Sequence, residues 1–349
     1  MAVNKYFKER DIKNMAVVDE CCTTLPSSCV KYFDDISLAR APSTMANYAR
    51  QLGIFFDWIH MNVIEDKMPE EYDFKDLSKI KSDDIMMFLH ELKYSGDSDE
   101  TLRTYMRSIS AFYSHLNKQK LLDVNPVDGI IRPKHKRSPK VYLDNEDLER
   151  FTDTVSTGNG LQNNAIKYRE TIGSKSRDIA MVSMLIDTGI RISELIGLDL
   201  KDVDFERCRI TVQRKGGAID IVYFSDETLE FLNDYIKIRE KITDKSEHAL
   251  FVSNVGKNKG HRLSVRSVEL LIKKYATAAG VSNSNKMTPH KLRHTCAMGL
   301  LKMTGNIALV QKQLGHKNIT STTVYAEADD SDLAAIRNIR ENKFREDSK

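Results

Sequence analysis

Residues 287–326 constrain this chain more tightly than any other stretch; they contain TPHKLRHTCA and then QKQLGHKNITSTTVYA. Thr288 can cap a helix and Pro289 suits its first position, so His290 and Arg293 lie three apart on one helical face. His290 then falls in the first turn, where unpaired N–H groups and the helix dipole favour an anion. Leu309, Val310, Gln313 and Leu314 end a second helix, Gly315 stops it, and His316 follows the break. Tyr325 comes nine residues later. Two histidines, an arginine and a tyrosine gathered by short helices have the pattern of a phosphate site with a nucleophile beside it.

With 349 residues, 41% of them hydrophobic, the chain is long enough for two packed domains. The first is predicted to be a compact four-helix unit. One helix covers residues 27–38. Pro42 and Ser43 open a second, with Met45, Tyr48, Leu52, Phe55, Phe56 and Ile59 on one face. Ser82 caps a third, and Ser98 starts a fourth whose buried face is Leu102, Tyr105, Ile109, Phe112 and Leu116. The opposite face of that helix carries Arg103, Arg107, Ser110 and Ser114, which either meet a partner or are simply solvated. Residues 1–25 read as a poorly ordered or helical extension, and the acidic stretch 65–76 as a loop.

Pro126, Pro133 and Pro139 then interrupt any helix. Residues 132–140, RPKHKRSPK, are basic with no acidic member. Such a strap, carrying Arg132, Lys134, Lys136 and Arg137, could lie along a phosphate backbone, and it would also serve as a soluble linker.

The second domain starts near Asp144, a plausible N-cap, and residues 157–174 look like a loop. A helix over 176–187 ends at Gly189. In the following IRISEL, Arg191 precedes Glu194 by three, a spacing at which the carboxylate can hold the guanidinium. Residues 208–224 form the one convincing β segment. Ile210 and Val212 alternate on its first strand and Ile219, Ile221 and Tyr223 on its second, around RKGG, which puts Lys215 on a glycine-rich turn. Helices over 227–239 and 265–279 complete the frame, and Leu333, Ile336 and Ile339 give a last helix an apolar face.

Composition narrows the function classes. The net charge is only +3, so any basic patch must be local. The N-terminus lacks the apolar core of a signal peptide and no run of about 18 apolar residues exists, which argues against a membrane partner. The five cysteines, Cys21, Cys22, Cys29, Cys208 and Cys296, are expected as free thiols in a reducing cytoplasm. Neither a paired-carboxylate metal site nor a G-x-x-x-x-G-K-[ST] loop is present, so no cofactor is expected.

Taken in order, TGIRISEL, a lysine on a β-hairpin, TPHKLRHT, LGH and a tyrosine nine residues on resemble the tyrosine site-specific recombinases, the phage integrase family, and within it the Xer type. The resemblance implies a mainly α fold: a helical core-binding domain at 26–121, a basic linker at 122–140, and an α+β catalytic domain with a small antiparallel sheet at 141–349. It implies a catalytic set of Arg191, Lys215, His290, Arg293, His316 and Tyr325. Tyr325 would attack a DNA phosphodiester, leaving a 3′-phosphotyrosyl link and a free 5′-hydroxyl, with no metal and no ATP. Its partners would be double-stranded DNA with inverted-repeat half-sites and further protomers, in a tetramer on DNA or with a related recombinase, the last helix docking on a neighbour.

Within the residues that carry the resemblance, the chain departs from the family in two places. Glu327 stands where many relatives have histidine, and GGAIDIV follows Lys215 where basic residues are frequent, which leaves Lys201 as the upstream alternative for the lysine. The other classes that fit these residues are a type IB topoisomerase and a non-catalytic DNA-binding accessory protein.

Overall fold

The computed structural model describes residues 4–131, 142–171, 173–214 and 216–315. By its internal contacts the chain divides into two compact units, Met1–Pro139 and Lys140–Lys349.

In the first unit Pro42 occupies the first position of a long helix, and apolar residues at Met45, Ala49, Leu52, Phe56 and Ile59 form its inward stripe, each 1% exposed or less. This helix, α3 (Pro42–Asn62), follows α1 (Lys5–Cys22) and α2 (Ser27–Ile36) and precedes α4 (Phe74–Lys79), α5 (Ser82–Tyr94) and α6 (Asp99–Lys118). The Ser98 hydroxyl caps α6 by accepting from the Thr101 N–H at 3.1 Å. Edge-on rings of Phe55, Phe56, Phe88 and Phe112 fill the centre.

Among the described residues of this unit six α-helices stand where periodicity predicted four and left residues 1–25 as poorly ordered or helical. Residues 1–25 hold α1, which buries only Phe7 and Val18 and so shows no clear stripe. The other addition, α4, starts inside the stretch expected to be an acidic loop, because acids there cap each other: Asp73 accepts from the Asp76 N–H at 2.9 Å and Asp76 from the Asp73 N–H at 3.2 Å. Ser82 is not the cap of α5. It follows the N-cap Lys81, and its hydroxyl donates to the Pro126 carbonyl at 2.8 Å.

Asp76 is 1% exposed, and its carboxylate accepts from Lys67 and Lys79, both at 2.7 Å. These two hydrogen bonds hold its carboxyl well below the usual range. A depressed carboxyl stabilises the fold above its unfolded value and stops doing so as pH falls toward the folded value. Asp76→Ala should therefore cost about 1–2 kcal/mol at pH 7, a modest figure because both lysines reach solvent. The difference from wild type should shrink as pH drops below about 4. Denaturant melts followed by Trp58, the single tryptophan and a residue of α3, report on this unit directly. A deficit independent of pH would show that the ion pairs are not its source.

In the second unit Asp144 caps α7 (Asn145–Thr157) by accepting from the Asp147 N–H at 2.8 Å. The loop expected over 157–174 contains a helix, α8 (Asn163–Thr171). It lacks an apolar stripe and is anchored by a buried arginine: Arg169 donates to the carbonyls of Val155 and Ser156, at 2.6 and 3.0 Å, which end α7. Next, α9 (Ser174–Thr188) buries Ala180, Met181, Met184 and Leu185 and packs on α7.

A short helix, α10 (Ile192–Gly197), leads into a sheet of order β1 (Val203–Asp204), β2 (Arg209–Gln213), β3 (Ile219–Tyr223), antiparallel throughout. Ile210 and Val212 face inward on β2. On β3 the inward apolar residue is Val222, so Ile219, Ile221 and Tyr223 share the outward face, opposite Gln213, Thr211 and Arg209. The remaining helices are α11 (Asp226–Arg239), α12 (Val265–Ala278), α13 (Pro289–Thr304) and α14 (Ile307–Leu314), with α11 and α13 also packed on α9. No helix among the described residues is long and apolar enough to cross a membrane.

Candidate active site

The site forms where three helix ends meet a strand end. Gly189 terminates α9 at φ +62°, and a Cβ there would lie 2.6 Å from Leu314 Cδ2 and 2.9 Å from Cys296 Sγ. Only glycine permits both the left-handed turn and this approach of α13 and α14. Gly315 closes α14 in the same conformation, at φ +63°.

Arg293, from the second turn of α13, is 2% exposed and bridges the two closures. It donates to the Gly189 carbonyl and to the Leu314 carbonyl, each at 2.6 Å. Both acceptors sit at helix C-termini, where carbonyls lack intrahelical partners and the dipole favours a cation. A buried guanidinium there meets oriented dipoles in place of water.

Arg191 is the N-cap of α10. Its guanidinium donates to Glu194 Oε1 at 2.7 Å, and its backbone N–H to Glu194 Oε2 at 2.8 Å. Glu194 is 3% exposed, while the Arg191 side chain keeps 35% of its surface open. The carboxylate thus anchors one end of Arg191 and leaves the other turned to solvent.

A third arginine joins the pair without having been singled out from the sequence. Arg214 is 5% exposed and donates to Glu194 Oε2 at 2.8 Å and to the Gln313 carbonyl at 3.0 Å. Strand periodicity held the signal: Ile210, Val212 and Arg214 share one parity, so a strand that buries the first two turns the third inward as well.

His290, in the first turn of α13, is exposed, and its ring meets that of buried His294 edge-on at 4.4 Å. Thr288 is the N-cap residue and Pro289 follows it, but the Thr288 side chain makes no capping bond. Lys201, the alternative for the hairpin lysine, is 75% exposed and 3.9 Å from Asp199. Lys215, His316 and Tyr325 lie outside the described residues, as do Arg132, Lys134, Lys136, Arg137, Leu333, Ile336 and Ile339. Arg103 pairs with Glu100 of its own helix at 2.8 Å, whereas Arg107 is exposed.

A mainly helical unit with, among its described residues, one small antiparallel sheet is the fold class of the tyrosine recombinase catalytic domain. The family model "Phage integrase family" matches residues 142–332, more than half the chain. The chain belongs to the phage integrase family: it is a tyrosine recombinase, an enzyme of site-specific DNA recombination.

Among its relatives, Tyrosine recombinase XerC of Caldanaerobacter subterraneus subsp. tengcongensis is 28% identical over 316 residues, 87% of this chain and 83% of the relative. Tyrosine recombinase XerC of Vibrio vulnificus is 30% identical over 241 residues, 69% of this chain and 70% of its own. Two solved structures share the fold. XerH site-specific recombinase bound to palindromic difH substrate superposes with TM-score 0.65 at 18% identity, covering 98% of both chains. The Tn1549 transposon integrase in complex with a circular intermediate DNA does so with TM-score 0.63 at 22%, covering 89% of this chain and 98% of that one.

Proposed function

We propose that Tyr325 attacks a phosphodiester of duplex DNA, forming a 3′-phosphotyrosyl bond and releasing a 5′-hydroxyl, with religation to a second 5′-hydroxyl completing the exchange. Arg191 and Arg293 stabilise the charge that builds on the non-bridging oxygens. His290 and His316 donate hydrogen bonds to the same phosphate, and His290 helps remove the tyrosine proton. Lys215 protonates the leaving 5′ oxygen. Because the phosphotyrosine conserves the bond energy, the exchange needs neither ATP nor a metal.

The observation that carries this reading is the arginine arrangement within a member of this family. Arg191 is held at one end by a buried carboxylate and remains open at the other, beside helix ends whose next residue is His316. A guanidinium fixed in this way can bind an incoming phosphate without first losing its own freedom.

Residues 26–121 serve as the DNA-clamping domain and 122–140, with Arg132, Lys134, Lys136 and Arg137, as a cationic strap along the backbone. Arg107 joins them directly, and Arg103 by exchanging the exposed Glu100 for a phosphate, a swap of little cost at a surface. Four protomers act on two duplexes with inverted-repeat half-sites, in the cytoplasm, the last helix docking through Leu333, Ile336 and Ile339.

Covalent capture tests the reading. Purified protein is incubated with nicked fragments of the source's genomic DNA, and SDS-resistant adducts are sequenced. Adducts clustered at one short inverted repeat are expected. Dispersed adducts would instead indicate topoisomerase-like nicking, and DNA binding without adducts would indicate an accessory role.

A further inference from the structure

Arg214 bonds to three groups at once: Glu194 Oε2 at 2.8 Å, Asp220 Oδ2 at 2.9 Å and the Gln313 carbonyl at 3.0 Å. We propose that Arg214 is a positioning residue for Arg191: by occupying half of the Glu194 carboxylate, it keeps the Arg191 guanidinium turned outward. The inference rests on the assignment of Arg191 to the scissile phosphate.

Left alone with Glu194, Arg191 would form the two-pronged contact that guanidinium and carboxylate prefer, which would draw its fork inward, away from a phosphate. Arg214 and the Arg191 backbone N–H already occupy Oε2, so the Arg191 side chain bonds Oε1 alone. The 35% of Arg191 left open follows from that division.

Charge balance points the same way. Arg191 and Arg214 face Glu194 and Asp220, two cations against two anions, and Asp220 is 46% exposed and so screened by water. Without Arg214, one guanidinium would face two carboxylates. The local balance among these four groups would fall from zero to one net negative charge, which disfavours an incoming phosphate.

Arg214 also carries this arrangement to the end of α14. A Cβ on Gly315 would lie 2.5 Å from Arg214 Nε and 2.8 Å from Cζ, so the guanidinium rests directly against the backbone there. One side chain therefore links the orientation of Arg191 to the residues that precede His316.

The test compares two substrates built on the half-site recovered by covalent capture. One is a nicked duplex with the native scissile phosphodiester. The other carries a methylphosphonate there, in which methyl replaces a non-bridging oxygen and removes the charge. A residue that serves to present a cation to that charge matters far less on the neutral substrate, whereas one that merely supports the fold matters equally on both.

Arg214→Gln should cleave the native diester about 100-fold more slowly than wild type with unchanged DNA affinity, and the deficit should fall below about tenfold on the methylphosphonate. Arg214→Lys keeps the charge but supplies a single point of contact, and should lie between. Arg191→Ala is the reference and should recover in the same way. If Arg191→Ala is equally impaired on both substrates, the assignment of Arg191 fails. If Arg191→Ala recovers and Arg214→Gln does not, or if Arg214→Gln cleaves the diester at the wild-type rate, the positioning role is overturned. Failure of both Arg214 variants to bind DNA overturns it as well, since Arg214 would then be holding the unit together.

Discussion

In a Tyr325→Phe variant, covalent protein–DNA adducts are expected to disappear while DNA binding stays within about threefold of wild type. The substitution removes one oxygen and leaves the ring, so packing changes little. A nucleophile that forms the only covalent bond to DNA has no partial substitute, and the loss should exceed about four orders of magnitude in rate, as for other covalent-catalysis residues. Filter binding and denaturing gels on the captured half-site measure the two quantities separately. Adducts that persist would place the nucleophile elsewhere among the thirteen tyrosines. Loss of binding along with cleavage would make Tyr325 structural.

Arg293→Ala should have the second largest effect, because it acts on chemistry and fold together. Truncation strands the Gly189 and Leu314 carbonyls at the ends of α9 and α14, both now paired at 2.6 Å. Each buried acceptor left without a donor costs about 1–3 kcal/mol, so a loss of about 2–6 kcal/mol is expected for the two. Cleavage should fall by about 10³-fold, in the range seen when one donor to a transition-state oxyanion is removed. Arg293→Lys keeps the charge but cannot span two carbonyls, so it should recover some stability and little activity. Thermal melting and single-turnover cleavage separate the two effects. Wild-type stability in Arg293→Ala would show that the bridge does not hold the helix ends, and wild-type cleavage would remove Arg293 from the phosphate.

Several elements were readable from sequence because their causes are local. Asp144, Ser98, Gly189 and Gly315 each act on backbone within a few residues, and each ends or starts a helix as expected. The Arg191–Glu194 contact spans one turn and was also legible. Of the extra helices, α1 was readable only as one of two alternatives for residues 1–25, and α4 and α8 were not readable at all. They lack the apolar stripe that periodicity detects, and α4 and α8 rely on polar anchors, Asp73 with Asp76 and Arg169 with the end of α7.

By itself the sequence determined the residue types, their order and the helix boundaries nearest them, enough to point to a tyrosine recombinase. Only the tertiary structure decided how the arginines share their anchors. Arg214 reaches Glu194 across 20 residues and Gln313 across 99, while Arg293 reaches Gly189 across 104. No local rule links such positions. Which carbonyl lies within reach of which guanidinium depends on how α9, α13 and α14 pack, and packing is a property of the whole unit.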